Sequence, residues 1–494
     1  MMESSEPAVA ATAEPQTEMT DASARPTHSA DVRAMWVIGL TCLFVYAYFY
    51  QGNGYNQHAH FATVRAIVER GTLEITPYKD STGDVSYVDG RIYAAKSPGL
   101  ALLATPVYFV LYHVERWAGA DVNVPPVWTL NIYLLTVWTV ALPTVLLMLA
   151  TYGYLRREGW DVRGAMLMTG SLAFGTLLFP YAGTMMVQNA VAACLFVAWL
   201  LVRESTDRGV LITGALLGAA VLMDQRVAPL IAAYAVAVLL TRPSFAQMVR
   251  LSVGLIVAAA ILVTLNWMNF GGPFSTSYHH VDPLYKRPGL FLGVFHWPRL
   301  SYAYWLTVHP HRGLFYCCPM LALAVLGFGG AVQRRRFVET WLPLAIFGYF
   351  FLFNLSFYAW TGGWGVGPRF LMPAIPFLSV FVARAAHRFP RLTAVLVAVS
   401  IANMFTVTAV CLMVPTNDSG PPMRLDPVFE CYRRLFSWHT ISMQQGSFNL
   451  GLLLKMPGLT SLLLPLGALG AFWWYALTRG REGSPGSMSV LPRN

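Results

Sequence analysis

Apolar runs recur along this chain from Ala34 to Thr478, separated by more polar stretches, and they read as bilayer spans once tilt is allowed for, although several are short for a full span. They fall at Ala34–Gln51, Trp128–Tyr152, Ala165–Pro180, Val187–Val202, Val210–Met223, Ala228–Leu240, Leu251–Met268, Leu314–Val332, Thr340–Tyr358, Phe370–Val382, Leu392–Met413 and Leu459–Leu477. The pattern predicts an all-α polytopic membrane protein of about twelve transmembrane helices. A further apolar stretch, Leu100–Tyr112, is short and interrupted at Pro106, and it reads as an interfacial or re-entrant helix. The first thirty residues are rich in Ala, Pro, Ser, Thr and Glu and predict a disordered tail over 1–33. A membrane domain over 34–478 and a second tail over 479–494 complete the division.

The positive-inside rule orients the path. With Arg156, Arg157, Arg203, Arg208, Arg242, Arg250, the run Arg334, Arg335, Arg336, then Arg384, Arg388, Arg391, Arg479 and Arg481 placed on the cytoplasmic side, one alternating path results. Both termini are then cytoplasmic. Three long segments fall on the outer side of the cytoplasmic (inner) membrane, at 52–117, 271–313 and 415–456, and all four lysines lie in them. Loops of this length on one face of a helical scaffold carry function.

Composition agrees. Of 494 residues 56% are hydrophobic and 12% charged, and the mean hydropathy of +0.50 lies far from the soluble balance. The net charge of +10 sits in clusters between apolar runs, so it marks membrane topology and not a nucleic-acid partner. Five of the six cysteines lie in or beside apolar runs, and Cys317-Cys318 lacks metal-ligand spacing, so neither a disulfide framework nor a metal site is expected from them.

In the first outer loop, Phe61, Val64, Ile67 and Val68 recur at helical spacing with His58, Arg65 and Glu69 opposite, which predicts an amphipathic surface helix. Next, DVSYVDGRIYAAK has alternating runs around Asp89-Gly90 and predicts a β-hairpin ending at Lys96, just before Pro98-Gly99.

A first helix, a large outer loop with a surface helix, and a Gly-x-x-Tyr-x-x-Lys-x-Pro stretch leading into an interfacial helix resemble the GT-C superfamily of glycosyltransferases. The branch in question contains the protein O-mannosyltransferases and lipid A aminoarabinose transferases, glycosyltransferase family 39 in type. Further stretches are similar: GTLLFPYAGTMMVQN at Gly175–Asn189, NFGGPFSTSY at Asn269–Tyr278, HRGLFYCCPML at His311–Leu321 and WTGGWGVGPRFLMPAIPF at Trp360–Phe377. The resemblance implies a cell-envelope enzyme. It would move a sugar from a polyprenyl-phosphate donor to a lipid, glycan or protein acceptor at the outer face, with an outer-loop acid as general base. It places Lys96 where the family lysine meets the carrier phosphate, a point contact that suits an ammonium. Arg226 and Arg369, outer-side cations beside helix ends, are further phosphate candidates.

The family acid at the start of the loop is replaced by Asn56, which cannot take a proton. Asp84 is the first candidate for the base, with His58 and Asp89 behind it; an Asp-Gly turn by itself explains Asp89, and a lone histidine is more often structural. Trp360 and Trp364, flanking the Gly-rich turn, are candidates for stacking on a sugar. Gln188 and Asn189 are neutral where relatives carry an acid, so no metal held by two acids is expected and no cofactor is required. Mg or Mn held by donor phosphate and one Asp is left open.

Three rivals stand beside this reading. A transporter fits the span count but would show internal repeats and ionisable groups at mid-membrane. A lipid-linked polysaccharide ligase or polymerase would use Arg299, Arg312 and His311. A non-catalytic scaffold of the same fold fits Asn56.

Overall fold

The computed structural model describes residues 25–52, 54–282, 289–331, 337–414, 426–441 and 446–478. Helix α1 (Arg25–Tyr48) runs into β1 (Phe49–Tyr50), and α2 (Tyr55–Arg70) follows at once. The hairpin β2 (Val85–Val88) and β3 (Arg91–Ala94) leads to α3 (Gly99–Trp117). Then come α4 (Pro125–Thr136), α5 (Leu142–Arg157), α6 (Val162–Phe174), the short α7 (Leu178–Tyr181), α8 (Gln188–Glu204), α9 (Asp207–Met223), α10 (Leu230–Leu240) and α11 (Phe245–Phe270). The later part holds α12 (Leu300–Thr307), α13 (Leu314–Cys317), α14 (Leu323–Ala331), α15 (Leu342–Ser356), α16 (Ile375–Arg388), α17 (Pro390–Val410) and α18 (Pro427–Phe436). It closes with β4 (Phe448–Asn449), α19 (Leu450–Leu453) and α20 (Leu463–Thr478).

Among the described residues, 7 helices are long and apolar enough to cross a membrane. The chain is a multi-pass membrane protein. Each of the twelve apolar runs lies on helical structure, but α6, α8, α9, α10 and α14 fall below the length or hydropathy of a full span on their own. A π-turn over Val137–Ala141 joins α4 to α5 into one 33-residue span.

Two expectations shift. The predicted tail is helical from Arg25, because Asp31 finds Arg156 on α5 at 2.7 Å and the turn beyond the apolar run is thereby anchored. Residues 1–24 and the tail at 479–494 lie outside the described residues, as do 415–425 of the third long loop and Arg334, Arg335 and Arg336. The stretch expected at Leu100–Tyr112 is a 19-residue helix, α3, that carries Pro106 inside it.

Three devices fix the loops to the bundle. Phe49 pairs with Asn449 and Tyr50 with Phe448, which ties the end of α1 to the segment before α20. Gln51 is buried at the junction: its amide donates to the Thr408 carbonyl at 2.7 Å, its side-chain oxygen accepts from Leu412 N–H at 3.2 Å, and its own N–H donates to Gly183 O at 2.8 Å. Gln57 of α2 accepts from the Thr184 hydroxyl at 3.1 Å and donates to Gln51 O at 3.4 Å. α9 packs on α11 through small residues. A methyl at Gly214 would strike the Leu251 backbone, and one at Gly254 the backbone of Gly214 and Ala215, so the two helices meet closer than side chains allow.

Candidate active site

The site starts at the base of the hairpin. Asp89 (φ 47°) and Gly90 (φ 78°) hold the left-handed conformations of a two-residue turn, which an Asp-Gly pair adopts at low cost. That turn aligns Val85 with Ala94, and the Ala95 N–H donates to Asp84 O at 2.9 Å, so Asp84 and Lys96 emerge together at the opposite end. Lys96 Nζ lies 2.8 Å from Asp84 Oδ2. Burial works against the charged Asp84 carboxylate. The Lys96 ammonium, with Arg369 and His60 further off, outweighs it and holds the carboxyl below its ordinary value.

Asn56, His60 and Thr63 follow one another along one face of α2. Thr63 and Lys96 line a common pocket of about 30 Å³ with Ser97, Gln225, Asn266 and Ser277, room for no more than about two waters. The second loop closes over it: the Ser86 hydroxyl donates to Ser277 O at 2.7 Å, and the Ser277 hydroxyl to Lys96 O at 3.3 Å. His60 is 2% exposed. Burial, and next the Lys96 charge, push its pKa down to about 3, although Asp84 pulls the other way, so the ring is neutral.

The predicted arginines separate. Arg226 is clamped by Asp224, with Nε 2.8 Å from Oδ1 and the other nitrogen 2.6 Å from Oδ2, and lies 4.4 Å over the Phe370 ring. Its charge is spent on a buried carboxylate. Arg369 has no ion pair among the described residues, and its buried Nε has no hydrogen-bond partner there. It lies over Phe370 at 5.0 Å, approaches Met186 Sδ at 3.4 Å, and is close enough to act on the Asp84 charge. Tyr278, at the end of the NFGGPFSTSY stretch, stands among Ser97, Asp224, Arg226 and Asp84.

Other expectations are redirected. His58 is engaged elsewhere: its Nδ1 meets Ser81 O at 2.9 Å and its ring packs on Trp128 at 5.4 Å. Asp89 is exposed in its turn, one strand length from Lys96. Trp360 is 5% exposed and stacked on Tyr302 at 4.7 Å, so its face is already covered; Trp364 stays half exposed. Arg312 is fully buried and donates to Gly363 O and Gly365 O, holding the Gly-rich turn. Arg299 donates to the Tyr302 hydroxyl at 3.1 Å. Among the described residues no three His, Cys, Asp or Glu side chains gather as a metal site. Asp84 could supply one ligand, as Mg or Mn bound through a donor phosphate would require.

No family model matches this chain, and no curated protein does. Among solved structures it is similar to ArnT from Cupriavidus metallidurans. The crystal structure bound to undecaprenyl phosphate aligns over 93% of this chain and 76% of its own at 16% identity and a TM-score of 0.48. The apo structure aligns over 92% and 76% at 15% identity and a TM-score of 0.45.

His60 was the residue that sequence reading passed over. Asn-Gln-His-Ala-His carries two histidines two places apart, hence on opposite sides of a helix, and Asn56 shares its side with His60 and not with His58. Helical phase was the available signal.

Proposed function

We propose that this chain is a GT-C-type membrane glycosyltransferase that moves a sugar from a polyprenyl-phosphate donor to a lipid, glycan or protein acceptor at the outer face of the cytoplasmic membrane. The observation that carries the reading is the Lys96–Asp84 pair at the hairpin base, one cation held in reserve beside a partly buried Arg369 that has no anionic partner among the described residues. The donor phosphate would take the place of Asp84 on the Lys96 ammonium. Exchange of Asp84 for phosphate does two things at once. It puts an ammonium on the leaving group, and it removes the charge that depresses the Asp84 pKa, which makes that carboxylate a better base.

The reaction is an inverting displacement. The acceptor hydroxyl oxygen bonds to the anomeric carbon, the bond from that carbon to phosphate oxygen breaks, and the carrier phosphate leaves with the electron pair. The hydroxyl proton passes to Asp84. Lys96 and Arg369 stabilise the charge growing on phosphate. The polymerase reading loses support, since Arg312 and Arg299 are committed to the Gly-rich turn and to Tyr302.

The test is transfer of labelled sugar from a panel of polyprenyl-phosphate donors by the purified protein. Lys96→Ala should cost roughly 10- to 100-fold in turnover, the worth of one charged hydrogen bond. Asp84→Asn should lower turnover while the donor still binds. No turnover with any donor by the unmodified protein would refute the reading.

A further inference from the structure

On the face of α2 opposite Lys96 lies a second cleft, of about 410 Å³, a size in the range of small-molecule sites. One wall is built around Glu69. Its carboxylate accepts from Arg65 Nε at 2.7 Å, from Tyr78 at 2.8 Å and from Tyr108 of α3 at 2.7 Å, while Arg65 donates onward to Asn123 Oδ1 at 2.7 Å. Arg65 also lies 4.4 Å over the Tyr78 ring. The network is rigid before any ligand arrives, and its one cation is wholly committed. Trp128 forms the other side; its indole N–H is buried and has no partner among the described residues. Asp80 stands exposed at the cleft with no ion pair among the described residues.

The chemistry of this lining differs from that of the Lys96 side. Its formal charge is one Arg against two carboxylates, Glu69 and Asp80, so a phosphate would meet a net negative wall with no free cation. What remains is the partly exposed ring of Trp128, which meets His58 on one side at 5.4 Å, its buried and unpartnered N–H, and the exposed Asp80 carboxylate, able to accept from hydroxyls. We infer that this cleft binds a phosphate-free sugar ring, stacked against Trp128 and hydrogen-bonded through Asp80. The inference does not need the transferase reading. Under that reading the ring is either the acceptor's or the donor's own sugar, and α2 then separates a cationic phosphate side from an anionic sugar side.

The test is saturation-transfer NMR of methyl glucoside, methyl glucosaminide and glucose 1-phosphate against the full chain in a non-glycosidic detergent. Both methyl glycosides should bind saturably and the sugar phosphate at least tenfold more weakly. Trp128→Ala should abolish the signal, Trp128→Phe should weaken it severalfold by removing the N–H and shrinking the stacking ring, and Asp80→Asn should narrow the gap between glycoside and sugar phosphate. Lys96→Ala should leave glycoside binding unchanged. Absence of saturable glycoside binding, binding indifferent to both Trp128 variants, or loss on Lys96→Ala would each overturn the inference. Addition of a polyprenyl-phosphate sugar distinguishes the sources: an acceptor site keeps its glycoside, whereas a donor-sugar site loses it.

Discussion

His60 is a neutral imidazole enclosed beside an ammonium, and that has a measurable consequence. Its folded pKa of about 3 lies below the ordinary value of 6.5, so between those values the unfolded chain binds a proton that the folded chain refuses. Stability from His60 is therefore complete above pH 6.5 and is lost as pH falls toward 3, by up to about 1.4 kcal/mol per pH unit. Melting temperature should drop from pH 7 to pH 5, and His60→Gln should flatten that drop; an equal slope in both proteins would show that His60 is protonated in the folded state. Asp84 works in the same sense: despite burial its pKa is depressed, chiefly by Lys96, so the stability of the pair is present above the ordinary carboxylate value and is lost as pH falls through the lowered one. Lys96 was legible in the sequence because lysine is rare here and the Gly-x-x-Tyr-x-x-Lys-x-Pro stretch leads to it. The partnership with Asp84 was not. It depends on hairpin register, which sets two residues a dozen apart in sequence at one end of the strands.

At the scale of elements, the amphipathic spacing and the Asp-Gly turn were enough to find α2 and the hairpin, since each rests on local chemistry. Span lengths were less legible, because α6, α8, α9, α10 and α14 end short of the length or hydropathy of a full span, and an apolar run alone does not show where its helix stops. The α9–α11 contact shows what takes the place of a hydrophobic drive inside a bilayer: Gly214, Gly218 and Gly254 let two backbones touch. Gly254→Leu should therefore lower the melting temperature, with overpacking costing roughly 1–3 kcal/mol. Gly348→Ala, whose added methyl meets nothing nearby, should leave it unchanged. Equal effects of the two would contradict close packing at this pair. Gly99 belongs to the same class, because a methyl there would strike the α9 backbone at Leu222 and Met223 and push α3 away from the site.

For the molecule as a whole, we propose from the arginine pattern that the hairpin and the Arg157 loop lie on opposite sides of the membrane. The described cysteines are all buried or half-buried, so background labelling is low and a single added thiol reports its side. In intact cells Asp89→Cys should react with a membrane-impermeant maleimide and Arg157→Cys only after lysis. The reverse result would place the site on the cytoplasmic side and remove the outer-face reading.

The central claim is that Lys96 serves a lipid-linked phosphate, and binding tests it without any need to know the sugar or acceptor. Native mass spectrometry of the purified protein with a polyprenyl phosphate, beside Lys96→Ala and Lys96→Arg, reads the affinity directly. The account predicts at least tenfold weaker binding for Lys96→Ala, with partial recovery in Lys96→Arg. Affinity in Lys96→Ala within twofold of the unmodified protein would contradict it.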